Sequence, residues 1–190
     1  MKSRLAWVLA VGMLSSGCTV VQSVYPIASN ETAVYDASLV GVWMEDKNSD
    51  EAIYILSPED TPTPAAYQLR LVDGDPGKPS ERGIVHLKLT LRKIGDKLWG
   101  DVVAAEDEND FYLKTHFFVR LEKRAGITIA LRMLKWSKIP VADRPASIEL
   151  PGDKGFLMTG EAAALISFLE RFGSKDEFFD DDLVLRRVNP

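Results

Sequence analysis

The chain has one cysteine and two histidines among its 190 residues, so few side chains could carry covalent, metal or proton-transfer chemistry. Cys18 lies in the segment LSSGCTV, directly after an apolar run, and has no second cysteine to pair with. His86 and His116 fall on the polar faces of alternating segments, which predicts exposed imidazoles. The sequence shows no metal-ligand spacing, nucleophile motif or phosphate-binding loop, so we predict neither an enzyme nor a metal or cofactor site.

Acidic residues are the remaining candidates for chemistry, because carboxylates bind calcium. They cluster in residues 106–110 and 180–182, but the EF-hand spacing, with its glycine and distal glutamate, is missing. We therefore expect these clusters to be solvated loop charge. The formal net charge of −5 also argues against nucleic acid as a partner and against electrostatic binding to anionic lipid.

The first seventeen residues have the organisation of a secretory signal peptide. A basic start precedes Leu5–Leu14, a ten-residue run that is apolar except for one glycine. That run is half of the ~20 residues that a membrane-spanning helix needs. Ser15 and Gly17 are small residues at the spacing of a secretory cleavage site, and cleavage after Gly17 would make Cys18 the first residue. Two outcomes stay open, an unmodified secreted thiol or a lipid-modified one.

Five residues resemble the lipobox of bacterial lipoproteins: Leu14, Ser15, Ser16, Gly17 and Cys18. Ser15 stands where leucine is usual, and Leu14 lies one place earlier. The resemblance implies that Cys18 is diacylated on sulfur, released by the signal peptidase and acylated on its new amine, which anchors the protein in a membrane. Thr19 stands where an aspartate tends to retain lipoproteins at the inner membrane. The resemblance therefore implies the cell envelope, at the outer membrane facing the periplasm if the cell is Gram-negative.

The rest of the chain divides into a tether and one domain. Residues 18–36 contain a proline and no persistent period, so we expect a tether that holds the domain off the bilayer. Residues 37–190 have the length of a single domain. A hydrophobic content of 46% is enough for a core, and that core has to be stable without a disulfide.

Alternating apolar and polar residues predict strands through most of this domain. Val85–Leu91, Leu113–Leu121 and Ile127–Met133 alternate with a period of two, and turn residues separate them. Residues 165–172 instead have helical spacing, which predicts one amphipathic helix before a final strand at 183–188. We therefore predict a mainly β fold, either an antiparallel up-and-down barrel or a strongly curved sheet, with one helix before the last strand.

Gly41 and Trp43, in the segment LVGVWMED, resemble the G-x-W that opens the first strand of lipocalins. The order of many strands, one helix and a last strand is also similar to that family. The resemblance implies that Trp43 closes one end of a barrel and that Arg132, on a late strand, packs on it. Without the resemblance, a strand glycine beside a core aromatic explains the pair equally well. Residues 159–188 also resemble the tail of uncharacterised bacterial envelope lipoproteins, which implies no function.

The longest irregular stretch, Lys135–Lys154, is the candidate gate of such a barrel. Trp136 and Ile139 are apolar anchors within it, as parts of a gate or by simple packing. We expect a lipid-anchored envelope protein that binds a small apolar or amphiphilic ligand. The alternative is a filled barrel that contacts another envelope protein through a basic stripe. The residues of that stripe are Lys88, Arg92, Lys114 and Arg120.

Overall fold

The computed structural model describes residues 21–45, 48–56, 66–73, 83–105, 114–125, 127–150 and 155–188. Within these ranges the chain forms eleven strands, one α-helix and several short 3-10 turns. The strands are β1 Val21–Ser23, β2 Gly41–Glu45, β3 Asn48–Leu56, β4 Tyr67–Asp73, β5 Gly83–Ile94, β6 Lys97–Ala104, β7 Phe117–Arg124, β8 Thr128–Arg132, β9 Ser147–Glu149, β10 Phe156–Met158 and β11 Leu183–Val188, and the helix α1 is Ala162–Phe172.

Eight of these strands form a closed antiparallel barrel. Strands β2 to β8 pair in chain order, and β11 pairs with β8 on one side and with β2 on the other. The predicted class, a mainly β antiparallel fold with one helix before the last strand, is confirmed. Closure leaves these strands without a free edge. Because β11 follows α1 in the chain, closure of the barrel depends on the position of the segment between β8 and β11.

The strands are strongly staggered around the barrel. A path that moves between paired residues around the barrel returns to its starting residue on β5 only after shifts along the strands. These shifts are four residues on β4, two on β11, two on β8 and four on β6, so the total stagger is twelve residues. With a rise of about 3.3 Å per residue and a strand spacing of about 4.8 Å, this stagger gives a wall radius of roughly 9 Å. In a barrel of that radius, the size of the inward side chains determines whether the interior is filled or accessible.

The two ends of the barrel differ in what covers them, although half-buried apolar residues such as Leu98 occur near both. At one end, which we call the closed end, a 3-10 turn of residues 37–39 covers the interior, and its Leu39 is fully buried against the barrel core. At the other end β2, β4, β6 and β8 finish and β3, β5, β7 and β11 begin. We call it the accessible end, because inward side chains there, such as Leu87 and Leu183, are only half-buried.

A second layer covers the outer face of β5, β6 and β7. Strands β1, β10 and β9 form a three-stranded sheet, in which β1 runs parallel to β10. Trp99 and Phe118 point outward from the wall into this layer, whereas Leu91 points inward. Helix α1 turns its apolar stripe to the same cluster, which gives the protein two cores separated by the barrel wall. The stripe consists of Leu165, Phe168, Leu169 and Phe172.

Residues 21–36 belong to this outer layer, so the predicted tether at 18–36 is wrong from Val21 onward. Strand β1 pairs with β10, and Ile27 is 1% exposed. The Arg92 guanidinium donates a hydrogen bond to the Ile27 carbonyl at 2.7 Å, and the Val34 amide donates to the Leu91 carbonyl at 2.8 Å. The segment follows an irregular path across the wall, and an irregular path leaves no period in the sequence.

Candidate functional site

Half-buried apolar side chains form a ring at the accessible end of the barrel. The members of this apolar ring are Ile53 on β3, Leu87 on β5, Val102 on β6, Leu131 on β8 and Leu183 on β11. Each packs against the buried interior and keeps part of its surface in contact with solvent. A concave apolar surface that water still reaches is the usual starting point of a site for an apolar ligand. The apolar ring is therefore the candidate binding site.

Below the apolar ring the interior is filled with large side chains. The members of this filled floor include Leu39, Trp43, Tyr67, Leu91 and Ile129. A Cβ atom at Gly100 would lie 2.6 Å from Leu89 Cδ1 and 3.0 Å from Val119 Cγ2, so the wall leaves no space even for a methyl group there. The candidate site is thus limited to the level of the apolar ring, because the side chains beneath it are packed.

The packing around Gly100 can be tested by adding one methyl group. Gly100→Ala is expected to lower the free energy of unfolding by about 1–3 kcal/mol, because Leu89 and Val119 have to move out of well-packed positions. Urea denaturation followed by tryptophan fluorescence measures the change. Gly160→Ala is the matched control, since its added Cβ would meet no atom closer than 3.7 Å. Equal losses for the two variants would contradict a filled interior at Gly100.

The closed end holds both residues of the G-x-W. Trp43 is 3% exposed, and its indole N–H donates a hydrogen bond to the Leu39 carbonyl at 2.8 Å. Arg187 on β11 lies directly opposite Trp43 in the register and donates to the Val40 carbonyl at 2.7 Å. A Cβ at Gly41 would lie 2.8 Å from Arg187 Nε, so the glycine makes room for this side chain. The arginine of the closed end therefore comes from the last strand.

Arg132 does not lie at the closed end, and its implied contact with Trp43 is wrong. Trp43 pairs with residue 187 and residue 186 pairs with residue 128, so Arg132 lies five positions beyond the level of Trp43. At about 3.3 Å per residue that separation is roughly 16 Å. The Arg132 guanidinium instead lies 5.2 Å from the centre of the Phe179 ring on the outer wall. Its ion-pair partners there are Asp176 and Asp182.

A polar cluster fastens the turn that covers the closed end. The Asp36 carboxylate accepts hydrogen bonds from the Ser38 amide and hydroxyl and forms an ion pair with Lys123 on β7. Burial opposes ionisation of Asp36, but the hydrogen bonds from Lys123 and Ser38 outweigh burial, so its pKa is lowered. The Tyr67 hydroxyl accepts from the Asp36 amide at 2.5 Å, and burial raises the pKa of Tyr67 to about 12.

The lowered pKa of Asp36 makes its contribution depend on pH. A carboxyl group with a lower pKa in the folded state stabilises the fold above its unfolded-state pKa and loses this effect as the pH falls through the folded-state pKa. Asp36→Asn is expected to cost at most about 1 kcal/mol at pH 7, because the ion pair is partly exposed. In urea denaturation the stabilities of the two proteins should converge as the pH falls through the folded-state pKa of Asp36, which lies below the usual 3.8. A difference that persisted there would assign the effect to shape instead of charge.

The half-buried His116 and the buried Asp101 form a pair on the outer wall. Asp101 is 3% exposed, and its Oδ1 lies 2.6 Å from His116 Nδ1. Its other oxygen accepts hydrogen bonds from the amides of Ile27 at 2.7 Å and Ala28 at 3.3 Å. The prediction that His116 is a surface imidazole is therefore wrong, because the amino-terminal segment covers this part of the wall. His86 is exposed, as its polar-face position predicts.

The predicted basic stripe is only partly a free surface. Arg120 is 1% exposed, and Arg92 donates its hydrogen bond to the Ile27 backbone beneath the amino-terminal segment. Lys88 and Lys114 are exposed. The prediction of a continuous cationic face is therefore wrong, since the second layer uses two of its four members as internal hydrogen-bond donors.

The two predicted gate residues lie in the outer layer. Trp136 and Ile139 are each 1% exposed, and the Trp136 ring packs 5.5 Å from that of Phe156 and 6.0 Å from that of Phe168. Arg144 donates hydrogen bonds to the carbonyls of Ile139 at 3.0 Å and Trp136 at 3.1 Å. Their role as a ligand gate is wrong, because they face α1 and not the barrel interior. Their role as packing anchors agrees with these contacts.

No motif or spacing in the sequence singles out the apolar ring. Its members alternate with outward residues, so their inward direction could be read from the sequence. Their partial exposure could not, because it depends on which end of the staggered barrel each residue occupies.

The acidic cluster at residues 180–182 is not simply solvated loop charge, as the sequence predicts. Asp180 forms an ion pair with Lys135, and Asp182 forms one with Arg124.

Several predictions concern residues outside those that the structure describes. They are the lipobox residues Leu14, Ser15, Ser16, Gly17 and Cys18, and the acidic residues 106–110. Among the described residues, no group of three or more histidine, cysteine or acidic side chains is arranged to hold a metal ion, and no helix is long and apolar enough to span a bilayer. Comparison of the chain with protein-family models, with curated proteins and with solved structures gave no significant match.

Proposed function

We propose that the barrel binds a small apolar or amphiphilic molecule at its accessible end and that acyl chains on Cys18 anchor it in the cell envelope. The observation that carries the ligand proposal is the half-buried apolar ring above a filled floor. Eight-stranded barrels are wide enough to accept one small ligand. The protein would act as a binding protein and not as an enzyme.

The composition of the apolar ring sets the chemistry of the ligand. All five members are aliphatic, so the ring would contact an alkyl chain or a small apolar ring system. The filled floor limits the depth of insertion, and a polar group on the ligand would therefore stay near solvent. A single-chain amphiphile fits these two conditions better than a fully apolar molecule does.

A lipocalin-like identity is part of the proposal. It is supported by the eight-stranded closure and by the position of Trp43 at the closed end. The arginine that would pair with this tryptophan is Arg187, in place of Arg132. The eighth strand of the barrel follows the helix, which is the order that the resemblance implies.

The ligand proposal is tested by placing a charge in the apolar ring. A soluble form that starts at Thr19 should bind a fluorescent alkyl probe saturably, and Leu131→Glu should weaken that binding about tenfold or more, because the carboxylate would have to lose water beside the alkyl chain. Ile84→Glu is the matched control, since Ile84 is 53% exposed on the outer face of β5 near the same end. A wild-type protein that does not bind the probe, or equal affinities in all three, would refute the ligand proposal.

The anchor proposal has a separate test. Cys18→Ser should move the protein from the membrane fraction to the soluble fraction of cells, because no residue would then carry the acyl chains. The intact mass of the wild-type protein should exceed that of residues 18–190 by the mass of the acyl groups. A Cys18→Ser protein that still fractionates with membranes would refute the anchor and leave the ligand proposal standing.

A second candidate function is a structural module that contacts another envelope protein. The filled floor favours it, because a packed barrel serves well as a rigid support. The burial of Arg92 and Arg120 removes half of the basic stripe on which this candidate first rested. It would become the better proposal if the alkyl probe does not bind and crosslinking in intact cells recovers one protein partner.

A further inference from the structure

The folded part of the chain begins close to the proposed anchor. Val21 is the first residue of β1 and pairs with Phe156. Only three Cα–Cα steps separate Cys18 from Val21, and each step spans at most about 3.8 Å. The anchored cysteine is therefore within about 11 Å of the outer layer. This distance is less than the height of the barrel, so the domain has little freedom to move away from the bilayer.

Strand β1 is attached at the accessible end of the barrel. The Ser23 amide donates to the His116 carbonyl at 2.9 Å, and the His116 amide donates to the Ser23 carbonyl at 2.8 Å. His116 directly precedes β7, and the first residue of β7, Phe117, pairs with Val102 of the apolar ring. The segment reaches the closed end only later, at residues 36–39. The amino-terminal end of the fold and the apolar ring are thus near each other.

The attachment is rigid enough to transmit an orientation. Ser23 is fully buried, and its hydroxyl is held by hydrogen bonds with the Tyr25 backbone. The carboxylate of Asp101 binds the amides of Ile27 and Ala28. A segment fixed by buried hydrogen bonds cannot move along the wall without breaking them, so the anchor is attached at one fixed place on the barrel.

Exposed apolar side chains lie at the start of β5 and on the small sheet that contains β1. Ile84 at the start of β5 is 53% exposed, and Ile148 on β9 is 57% exposed. Ile148 lies in register with Leu157 and Gln22 on the outward side of the small sheet that contains β1. The net charge of the chain is negative, so binding to the membrane would depend on the acyl chains and on apolar contact, and not on attraction to anionic headgroups.

We infer that the accessible end of the barrel is held against the bilayer in which Cys18 is anchored, and that the apolar ring takes its amphiphile directly from that leaflet. This inference rests on the proposed anchor. It identifies the source of the ligand as the membrane itself, because a ring pressed against lipid would exchange an acyl chain with the leaflet and not with bulk solvent.

The test uses the full acylated protein in vesicles of phosphatidylcholine. Acylation blocks the thiol of Cys18, so an introduced cysteine is the only one that reacts with a fluorescent label. Ile84→Cys places the label at the accessible end, and Ile127→Cys is the matched control, since Ile127 is 44% exposed in the turn after β7, at the closed end. Lipids that carry a quencher near the headgroup are expected to quench the label at residue 84 at least threefold more strongly than the label at residue 127.

A longer linker gives an independent readout. Twelve flexible glycine and serine residues inserted after Thr19 should let the domain leave the bilayer. Quenching at residue 84 should then fall to the level at residue 127, and transfer of an alkyl probe from vesicle to barrel should slow at least threefold, while the protein still floats with the vesicles. An unchanged contrast and transfer rate after the insertion would overturn the inference.

The other outcomes are separable from one another. A protein that does not float with vesicles would refute the anchor, and this inference with it. Flotation with equal quenching at both positions would refute only the orientation. Quenching between labels on two copies, without a lipid quencher, would identify a second copy as the partner of the accessible end. If the intact mass shows that the protein keeps residues 1–17, the apolar run of this chain has not been removed, and that run would be the partner of the accessible end in place of the bilayer.

Discussion

The Asp101→Ala protein is expected to lose about 3–4 kcal/mol of unfolding free energy, one of the two largest losses that we predict. The Asp101 carboxylate is 3% exposed and accepts hydrogen bonds from three groups, the amides of Ile27 and Ala28 and the His116 ring. Its removal would leave the buried Ile27 amide without an acceptor, and the half-buried Ala28 amide and His116 ring would lose theirs where water has limited access. Urea denaturation at pH 7 measures the loss.

Two variants separate the missing hydrogen bonds from other effects of the substitution. Asp101→Asn keeps the shape and one acceptor oxygen, so it should lose about half as much as Asp101→Ala. Asp96→Ala is the control, because Asp96 pairs with Lys97 at an exposed turn and its loss should change stability little. An Asp101→Ala loss no larger than that of Asp96→Ala would show that the buried acceptor is not needed.

The loss at Asp101 should be local before it is global. The amides of Ile27 and Ala28 are expected to exchange their hydrogens faster in Asp101→Ala than in the wild type, while amides within the barrel ladders change less. In the acylated protein the quenching contrast between residues 84 and 127 should also shrink, because the segment that orients the barrel would be loosened. Uniformly faster exchange throughout the protein would contradict a role confined to this segment.

The barrel could be predicted from alternation, but the second layer could not. The residues of β5, β7 and β8 alternate clearly, and their turns are short, so antiparallel pairing follows. In β6 the outward side carries Trp99 and Asp101, one apolar and one acidic. Large apolar residues on the outward face, Trp99 and Phe118, are the local signs that something covers the wall. The covering elements have few residues and irregular spacing, so their place could not be derived from sequence periods.

Contacts between distant elements limited the prediction of the site. Arg132 and Arg187 are both near the end of late strands, but Arg132 follows the inward Leu131 and therefore points outward, whereas the stagger of the barrel brings Arg187 opposite Trp43. The same stagger separates the half-buried Leu87 from the fully buried Leu91, although both point inward on one strand. Register depends on the closure of the whole barrel, and no local pattern specifies it.

Arg120→Ala is expected to cost about 2–4 kcal/mol, the second of the two largest effects. Arg120 is 1% exposed and donates hydrogen bonds to the Gly173 carbonyl and to Asp176 Oδ1, both at 2.6 Å. Its guanidinium also lies 4.1 Å from the centre of the Phe179 ring. The side chain therefore joins β7 to the end of α1 and to the turn that leads into the last barrel strand.

The origin of this loss can be resolved with three further variants. Arg120→Met should lose less than Arg120→Ala, because a thioether chain refills the space against Phe179 without bringing a charge. Arg120→Lys keeps the charge but not the planar fork, so it should lose the bond to Gly173 or to Asp176 and fall between the wild type and Arg120→Ala. Arg124→Ala is the control on the same strand, since Arg124 is 41% exposed and should cost only about 0–1 kcal/mol.

The position of Arg120 also predicts where the Arg120→Ala protein would open first. Without the guanidinium, residues 173–179 would lose two of their polar contacts with the wall and keep the Arg132–Asp176 ion pair and the bond from the Lys135 amide to the Phe178 carbonyl, so a protease should cut between α1 and β11 before it cuts the barrel strands. Because β11 closes the barrel between β8 and β2, release of this segment should lower the stability of the barrel itself. Cleavage that begins elsewhere, or a loss equal to that of Arg124→Ala, would contradict the role of Arg120 as the link between the outer layer and barrel closure.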